Sequence, residues 1–510
     1  MTTAEICIMF AIAAYLAGML GVGFWFARRN NSVDDFYLGG RKLGPFVTAM
    51  SAEASDMSSW LLMGLPGVAY LTGLAEASWT AIGLAVGTYL NWLIVAKRLR
   101  RYSTRLGAIT VPQFFSKRWG DQRNLLSAIA AVIIIIFFVP YLASGFSACG
   151  KLFGTLFGVD YGAAMMISAA IIVVYTVLGG FLAASFTDLV QSIIMTVALV
   201  VVMGFGITKA GGMDAVVSNA QSMAGYLSLS NIYNPSTGSS DPYSFLTICS
   251  LLAWGLGYFG MPHILVGFMA IEDEKKLSLA RRVATVWVII SMAVAVLIGV
   301  VGNGMTKAGA LEKLADAETI IVRIASLIAE HGVLAALLAG IILAGILAAT
   351  MSTADSQLLA ASSSVSQNLV GEFFGVKLDG KKSMLLARTV MVVISVIAAF
   401  LARNPNSSVF RVVSFAWAGF GATFAPAMLT ALFWKRTTKW GVLAGMVSGG
   451  AVVFIWKYLL KPMGGVWGIY ELLPAFIVAL VFIVVVSLLT AKPDAETVAT
   501  FDKVKAECKK

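Results

Sequence analysis

The chain has very few charged residues, cysteines and histidines for its length. Only 12% of its 510 residues are Asp, Glu, Lys or Arg, which is about half the share found in soluble domains. With 59% hydrophobic residues, too little polar surface remains to cover a soluble globule of this size. The four cysteines are scattered without a CxxC pair, which excludes a disulfide scaffold, and two histidines leave little for a zinc site or a His-based triad. The composition indicates a polytopic membrane protein.

Long apolar stretches are what the sequence has in abundance. We count thirteen that are long enough to cross a hydrocarbon core of about 30 Å. They cover approximately residues 5–27, 44–72, 74–97, 123–154, 160–182, 187–208, 243–272, 278–307, 331–362, 384–403, 407–433, 440–460 and 468–490. The first lacks the basic amino-terminal region of a signal peptide and is predicted to be a retained helix. The predicted fold class is an all-α polytopic membrane protein.

Three stretches outside these spans allow further predictions. Residues 209–242 are rich in Gly, Ser, Asn and Pro, which predicts a loop. Residues 308–330 have helical periodicity, which predicts a short helix on the outer face. Residues 491–510 are predicted to be a cytoplasmic tail.

The net charge of +11 is distributed unevenly along the chain. If the amino terminus is outside, 28 of the 37 Lys and Arg residues fall in cytoplasmic segments. They include Arg28, Arg29, Arg41 and Lys42 in the first loop and eight basic residues from Lys97 to Arg123. The positive-inside rule then predicts an external amino terminus and a cytoplasmic carboxyl terminus. The basic excess is a topology signal and does not indicate nucleic-acid binding.

Two of the predicted spans contain residues that disrupt a membrane helix. Glu53 and Asp56 lie near the middle of the second span, where a charged residue costs at least about 2.5–3.5 kcal/mol. The seventh span has three glycines and a proline within Gly255–Pro262. Such a run leaves backbone groups without helical partners, which is tolerated only where they face protein, water or a ligand.

The two interrupted spans occupy matching positions in the chain. Interrupted helices in corresponding halves are the best sequence indication of a binding site in a secondary transporter. Residues 44–208 and 243–433 would then form two five-helix repeats, which are inverted because five is odd. Residues 1–43 would add a first helix and loop, and residues 440–490 two further helices. The alternative is that the glycines and the proline only permit close packing and kinks.

The ninth span carries a group of polar residues. Ser352, Thr353 and Ser356 offer hydroxyl oxygens, and Asp355 adds a carboxylate one turn from Ser352. Hard cations such as sodium need several oxygen ligands, which adjacent hydroxyls and freed helix carbonyls can supply together. The alternative is that these hydroxyls bond to their own helix and fill small packing interfaces. The sequence has no glycine-rich phosphate loop, so an ion gradient is favoured over a nucleotide as the energy source.

Several long motifs resemble those of the solute:sodium symporter family. They are SAEASDMSSWLLMGLPG (Ser51–Gly67), YTVLGGFLAASFTD (Tyr175–Asp188), WGLGYFGMPHI (Trp254–Ile264), SFAWAGFGATFAP (Ser414–Pro426) and ALFWKRTTKWGVLAGMVSGG (Ala431–Gly450). With the loop motif DDFYLGGRKLGPF (Asp34–Phe46), the resemblance covers essentially the whole chain. It implies thirteen helices and a LeuT-type core of two inverted five-helix repeats, in agreement with the count above.

The same resemblance implies a function and the residues that perform it. The implied function is sodium-coupled symport of L-proline into the cell by alternating access. The implied sodium ligands are the backbone carbonyls of Ala54, Met57 and Ala349 and the hydroxyls of Ser352 and Thr353. The implied proline-binding residues are Ser58, Trp60, Tyr141, Trp254, Tyr258 and Pro262. A pyrrolidine ring buries well against aromatic faces, while its carboxylate and ammonium groups suit freed backbone N–H and C=O groups.

Three charged residues match family positions that are linked to sodium. Asp56 is implied to be essential for sodium, either as a direct ligand or as an electrostatic neighbour. Asp188 and Arg41 match positions linked to coupling. Each has an alternative interpretation, because Asp188 could be a charge at a helix amino terminus and Arg41 a topology anchor.

The sequence departs from the family pattern at four positions, one of which is Val442, where alanine is usual in the Ala431–Gly450 motif. Glu53 and Ser59 each replace a usual glycine, and Asp355 replaces a small polar residue. We expect Glu53 to be neutral and hydrogen-bonded near the break, because two carboxylates in a low-dielectric site do not both stay ionised without a cation. The alternative is an ionised Glu53 that pairs with a basic side chain or contributes to a second cation site.

Other functions remain open from the sequence. Within transporters, the main rival is a sodium symporter for another small amino acid or a carboxylate. From a different class, the chain could be a channel or a sensor built on a transporter fold. An enzyme is not expected, because no nucleophile–base pair is evident. The expected location is the plasma membrane, as a multi-pass protein of the bacterial inner membrane.

Overall fold

The computed structural model describes residues 2–27, 33–377 and 379–509, so Arg28 and Arg29 lie outside the described residues. The described part of the chain is mostly helical. Its helices are α1 (Thr3–Ala27), α2 (Val33–Leu38), α3 (Pro45–Ser59), α4 (Leu65–Thr72), α5 (Leu74–Leu90), α6 (Ala96–Arg105), α7 (Val111–Arg118), α8 (Leu125–Phe157), α9 (Tyr161–Lys209), α10 (Met213–Ser222), α11 (Phe245–Leu252), α12 (Pro262–Ala270), α13 (Leu277–Lys307), α14 (Ile320–Ala329), α15 (Val333–Ser363), α16 (Gly380–Leu401), α17 (Val409–Phe433), α18 (Lys439–Ile455), α19 (Leu472–Leu489) and α20 (Ala495–Lys509).

These helices confirm the predicted class of polytopic all-α membrane protein. Within the described ranges, 10 helical segments are long and apolar enough to cross a bilayer, and an eleventh joins α11 and α12 across a bend of 44°. The number of thirteen spans stays a prediction. Two features lower the number, since the second predicted span is interrupted between α3 and α4 and the fifth and sixth share one helical element.

That shared element is α9, which bends sharply at Gly180. A straight helix of its 49 residues would extend about 73 Å, more than twice the hydrocarbon core. Gly180 interrupts the helical backbone with φ 67° and ψ −172°. The hydroxyls of Tyr175 and Thr187 are hydrogen-bonded to each other although they are 12 residues apart. The boundary between the two predicted spans therefore lies at Gly180 instead of within 183–186.

The centre of the protein is α15, which packs against α1, α3, α8 and α9. Small residues make this close packing possible, as is common between membrane helices. A Cβ atom on Gly340 would lie 2.6 Å from the Ala11 side chain of α1, and one on Gly345 would lie 3.1 Å from Ala198 of α9. The polar residues of the ninth predicted span are thereby held inside the protein.

The predicted loop at 209–242 is wrong in part, because the segment contains α10 and a two-stranded hairpin. Strands β1 (Asn231–Tyr233) and β2 (Ser240–Pro242) pair in antiparallel fashion. The hairpin was not predicted because its strands are short and the segment has the polar composition that is typical of loops. The helix predicted within 308–330 is confirmed as α14, whose residues Ile320 and Ile321 are buried.

Within the predicted tail, residues Ala495–Lys509 form α20, which packs against α6. Its Phe501 is buried between two guanidinium groups. The Cζ atoms of Arg98 and Arg118 each lie 5.1 Å from the Phe501 ring centroid. Because the cation–π contacts bind it at this position, the end of the chain is an integral part of the fold.

Candidate functional site

Both helix breaks predicted from the sequence are present in the structure. Helix α3 loses helical geometry at Ser58, whose φ of 46° is unusual for a residue with a side chain. The Ser58 hydroxyl accepts a hydrogen bond from the Trp60 backbone N–H at 3.1 Å. The second break is the tight turn Ala253–Phe259 between α11 and α12. Pro262 begins α12, at a position where its missing N–H costs nothing.

Oxygen atoms from α3 and α15 converge beside the first break. The Ser352 hydroxyl donates hydrogen bonds to the carbonyls of Ala54 at 2.9 Å and Ala349 at 3.1 Å. The Thr353 hydroxyl donates to the same Ala349 carbonyl at 3.2 Å. Four of the five implied sodium ligands are thus in mutual contact. The fifth, Met57, is buried in the last turn of α3, where its carbonyl faces the Trp60 N–H.

Asp56 follows Ala54 by two residues on α3 and links this helix to the second break. Its Oδ2 accepts a hydrogen bond from the Tyr258 hydroxyl at 2.5 Å, and its backbone carbonyl accepts one from the Tyr141 hydroxyl at 3.1 Å. Its Oδ1 is buried and has no hydrogen-bond partner among the described residues. One buried carboxylate oxygen therefore remains available to a cation.

An aromatic cavity lies on the other side of Asp56. Its lining residues are Asp56, Met57, Trp60, Leu84, Tyr141, Trp254, Met292, Val413 and Trp417. The rings of Trp60 and Trp254 are 5.6 Å apart, and Tyr470 stacks on Trp254 at 4.9 Å. The cavity volume of about 10 Å³ is room for about one water molecule. A larger molecule can enter only when these side chains move apart.

Side chains satisfy the carbonyls that the second break frees. The Trp417 indole N–H donates to the Trp254 carbonyl at 2.7 Å, and the Asn91 amide donates to the Tyr258 carbonyl at 2.9 Å. Gly257 packs directly on the Trp417 indole, where a Cβ atom would be only 2.0 Å from Nε1. The glycines in this turn are thus needed for close approach.

The implied proline-binding residues do not all line the cavity. Trp60, Tyr141 and Trp254 do. Tyr258 is buried behind them, on Asp56. Ser58 and Pro262 are buried in the two breaks, and their roles stay predictions.

Glu53 has a partner that the sequence did not indicate. The Trp92 indole N–H of the π-helical segment Asn91–Val95 donates to Glu53 Oε1 at 2.8 Å. Glu53 is fully buried, and among the described residues no basic side chain forms an ion pair with it. Its Oε2 has no hydrogen-bond partner there either. This environment favours the expected neutral carboxyl over an ionised one paired with a base.

Asp188 and Asp355 lie deeper, between α9 and α15. The Ser51 hydroxyl of α3 donates to Asp188 Oδ2 at 2.6 Å. Asp188 is eight residues beyond the bend at Gly180, so it is not in the first turn of a helix, and the alternative of a helix amino-terminal charge is wrong. Asp355 of α15 is fully buried. Their roles in coupling stay predictions.

Arg41 lies outside this group of residues. Its guanidinium donates to the carbonyls of Met269 and Ala108, each at 2.6 Å, and to the Ser103 hydroxyl at 3.3 Å. It therefore links the first loop to the end of α12 and to the segment between α6 and α7. The contacts are structural, and a part in coupling stays a prediction.

Sequence reasoning missed several residues of the site. Trp417 lies in the quoted motif Ser414–Pro426, and Phe410, whose ring is 5.8 Å from that of Trp60, lies just before it. Trp92 was missed as the partner of Glu53. An apolar aromatic residue in a membrane helix looks the same in sequence whether it packs on lipid or on a site.

Comparisons with known proteins found similar sequences and a similar fold. The model of the sodium:solute symporter family matches residues 36–449. The osmoregulated proline transporter of Bacillus subtilis is 42% identical over 488 residues, which cover 95% of each chain. The sodium/proline symporter of Haemophilus influenzae is 41% identical over 498 residues, or 96% of each chain. Among solved structures, a sodium-coupled sialic acid symporter in a substrate-bound outward-open state matches with a TM-score of 0.78 at 18% identity, over 96% of this chain and 99% of that one.

Proposed function

Because this chain belongs to the sodium:solute symporter family, we propose that it is a secondary active transporter that moves sodium and L-proline together across the membrane. Relatives named as proline transporters or sodium/proline symporters are 40–42% identical over at least 95% of the chain. The observation that carries the proposal is Asp56, which lies on α3 between the implied sodium ligands Ala54 and Met57 and also lines the aromatic cavity. The protein is a transporter and not an enzyme.

The proposed sodium site is the group of oxygens around Ser352. Hydroxyl and carbonyl oxygens are the ligands that hard cations prefer. Ser352 donates to the Ala54 and Ala349 carbonyls. Rotation of its hydroxyl hydrogen away from these carbonyls would leave all three oxygens free to coordinate one ion. Thr353 and Met57 would add two more. The negative charge of Asp56 would favour the cation, either as a direct ligand or as an electrostatic neighbour.

The proposed proline site is the aromatic cavity. Trp60, Tyr141 and Trp254 offer faces for the pyrrolidine ring, and the two broken helices offer backbone groups for its charged ends. Ser58, Tyr258 and Pro262 would complete the site from the breaks. Because the cavity is small, binding requires rearrangement of its walls, as alternating access demands.

One sodium ion per L-proline is sufficient energetically. A sodium ion that moves inward through 100 mV releases about 2.3 kcal/mol. A tenfold sodium gradient adds about 1.4 kcal/mol. The sum of about 3.7 kcal/mol sustains a proline concentration gradient of about a few hundred-fold.

The proposed topology has thirteen spans, counting the two breaks as single crossings and dividing α9 at Gly180. Residues 44–208 and 243–433 would be inverted repeats, with residues 1–43 and 440–490 as additions. The amino terminus would be external and residues 491–510 cytoplasmic. The protein is a multi-pass membrane protein, and its bacterial relatives support a place in the bacterial inner membrane.

Uptake into proteoliposomes tests the function. Labelled L-proline should accumulate when an inward sodium gradient is imposed and should not accumulate with an equal potassium gradient. Competing amino acids in excess should leave uptake largely intact. Strong competition by another amino acid or a small carboxylate would reassign the substrate. Absence of counterflow of labelled L-proline would favour a channel or a sensor.

A further inference from the structure

An open groove of about 490 Å³ lies on the outside of the protein, between α3, α9 and α13. Its walls are almost wholly apolar, with Leu199 and Val200 on α9 and Val286, Ile290 and Val294 on α13. Val200, Val286 and Ile290 are exposed side chains of membrane-spanning helices. An apolar groove on such a face contacts lipid chains and not water.

The groove has the length of one membrane leaflet. Along α13 it extends from Arg282 to Val294, and the 12 steps between these residues rise about 18 Å at about 1.5 Å each. Half of the hydrocarbon core is about 15 Å. A single acyl chain can therefore follow the groove from the headgroup level to the bilayer midplane.

One charged side chain, Arg282, lines the groove at its end. Among the described residues Arg282 has no ion-pair or hydrogen-bond partner, whereas two nearby basic side chains, those of Lys276 and Arg281, have contacts. Lys276 pairs with Glu272 at 2.6 Å, and Arg281 lies over the Tyr89 ring at 5.4 Å. No acidic side chain is part of the described lining. The groove thus combines an apolar track with a single positive charge.

We propose that this groove binds an anionic phospholipid, with one acyl chain along α13 and the headgroup phosphate on Arg282. A guanidinium matches phosphate oxygens with two parallel hydrogen bonds. A zwitterionic headgroup is a poorer match, because the groove offers no carboxylate for its ammonium group. In the topology proposed above, Arg282 faces the cytoplasmic leaflet, where basic pockets between helices bind anionic headgroups.

The groove adjoins the transport machinery through Met50 of α3. Met50 precedes Ala54 by one helical turn, on the helix that carries the proposed sodium ligands. The other two helices of the groove, α13 and α9, are joined by a hydrogen bond from the Trp287 indole N–H to the Thr196 hydroxyl at 2.9 Å. A lipid in the groove touches three helices at once and restrains α3 against α9 and α13.

Native mass spectrometry of the purified full-length protein tests the site directly. The protein is mixed with equal amounts of phosphatidylglycerol and phosphatidylcholine that carry the same acyl chains. The parent should retain phosphatidylglycerol in preference. Arg282→Gln should reduce that preference about five-fold, the factor expected for one basic residue that faces an anionic headgroup. Lys381→Gln, an exposed basic residue at the start of α16, is the matched control and should leave the preference unchanged.

A second variant tests the acyl track separately from the charge. Ile290→Trp fills the groove and should reduce retention of both lipids, whereas Val393→Trp on the exposed face of α16 should not. Glycerol phosphate, which supplies the headgroup without a chain, should not compete at equal concentration. Competition by glycerol phosphate would overturn the assignment of a phospholipid and indicate that the site binds a free phosphate ester.

Transport shows whether the lipid acts on α3. Sodium-driven L-proline uptake by the parent should be faster in vesicles that contain phosphatidylglycerol than in pure phosphatidylcholine, and Arg282→Gln should lose this difference while it keeps its uptake in phosphatidylcholine. Equal lipid preference in Arg282→Gln and the parent, or full retention by Ile290→Trp, would overturn the site. A dimer mass that disappears in Ile290→Trp would assign the groove to a second copy of the chain instead.

Discussion

The Tyr258 hydroxyl donates a hydrogen bond to the Asp56 carboxylate across the two interrupted helices. Asp56 belongs to the last turn of α3, and Tyr258 to the turn between α11 and α12. This contact joins the residue that we propose to favour the cation to the segment that carries Trp254. It is a physical route by which sodium and L-proline can affect each other's binding.

Tyr258→Phe should weaken the coupling between the two substrates more than it weakens either binding step. The change removes only the hydroxyl, so the packing of the ring is kept. Coupling between two sites is commonly five- to 150-fold, or about 1–3 kcal/mol, and we expect most of it to disappear. The check is the Kd for L-proline measured by calorimetry at low and at saturating sodium.

The exposed Tyr458 provides the control for this change. Tyr458→Phe should leave the sodium dependence of the L-proline Kd as it is in the parent. If Tyr258→Phe also shows the parental dependence, the contact with Asp56 has no part in coupling.

Ser352→Ala and Thr353→Ala should each raise the sodium concentration for half-maximal uptake. A hydrogen bond or ligand contact to a charged group contributes about 1.5–3 kcal/mol. Each substitution should therefore raise the sodium concentration for half-maximal uptake about ten- to hundred-fold. Ser352 should be the more sensitive position, because its hydroxyl contacts carbonyls of both α3 and α15, whereas that of Thr353 contacts α15 alone. Uptake is measured over a range of sodium concentrations.

Ser363→Ala is a matched control on the same helix, since within the described part of the chain its hydroxyl bonds only to the Ala360 carbonyl one turn earlier. It should have parental sodium dependence. Parental sodium dependence in both Ser352→Ala and Thr353→Ala would remove this site from the mechanism.

Trp254→Ala should weaken L-proline binding more than sodium binding. The indole stacks on Tyr470 and faces Trp60 in the cavity, and buried aromatic anchors commonly contribute 2 kcal/mol or more, about thirty-fold in affinity. Calorimetry with each substrate measures both effects. Trp456→Ala, at the contact between Trp456 and Trp467, is the control. Parental L-proline affinity in Trp254→Ala would contradict the assignment of Trp254 to the proline site.

The sequence predicted the helix breaks well because the signals are local. Glycine and proline act on the backbone at their own position, so the run Gly255–Pro262 indicated the second break directly. The oxygen group of Ser352 and Thr353 was indicated in the same way, by hydroxyl residues in an otherwise apolar span. The bend at Gly180 was placed a few residues too late, since one glycine with positive φ suffices to turn the chain without a polar loop.

The contacts between distant helices could not be predicted in this way. Trp417 reaches the Trp254 carbonyl from 163 residues away, and Trp92 reaches Glu53 from 39. Each indole has an apolar body that suits a lipid-facing belt as well as a buried site. Only the packing of α17 and of the segment Asn91–Val95 decides which carboxyl or carbonyl each N–H meets.

Glu53→Gln should retain sodium-driven L-proline uptake with near-parental sodium affinity. The carboxyl is buried without a basic partner among the described residues, and its Oε1 accepts the Trp92 indole N–H at 2.8 Å. A glutamine keeps the shape and the acceptor oxygen, so a neutral Glu53 loses little. Glu53→Leu removes the acceptor and should destabilise the protein by about 1–3 kcal/mol, because the buried indole N–H is left unpaired. Thermal unfolding in detergent measures that difference.

Trp92→Phe distinguishes the hydrogen bond from the charge. If the role of Glu53 is to bind the indole, Glu53→Leu should destabilise the parent more than it destabilises the Trp92→Phe background, because the N–H that it would leave unpaired is already gone. The sodium Hill coefficient should stay at its parental value in Glu53→Gln. A changed coefficient, or the loss of transport in Glu53→Gln with parental stability, would mean that Glu53 is ionised during the cycle. It would then stand beside Asp56 as a second charge that the cation must neutralise.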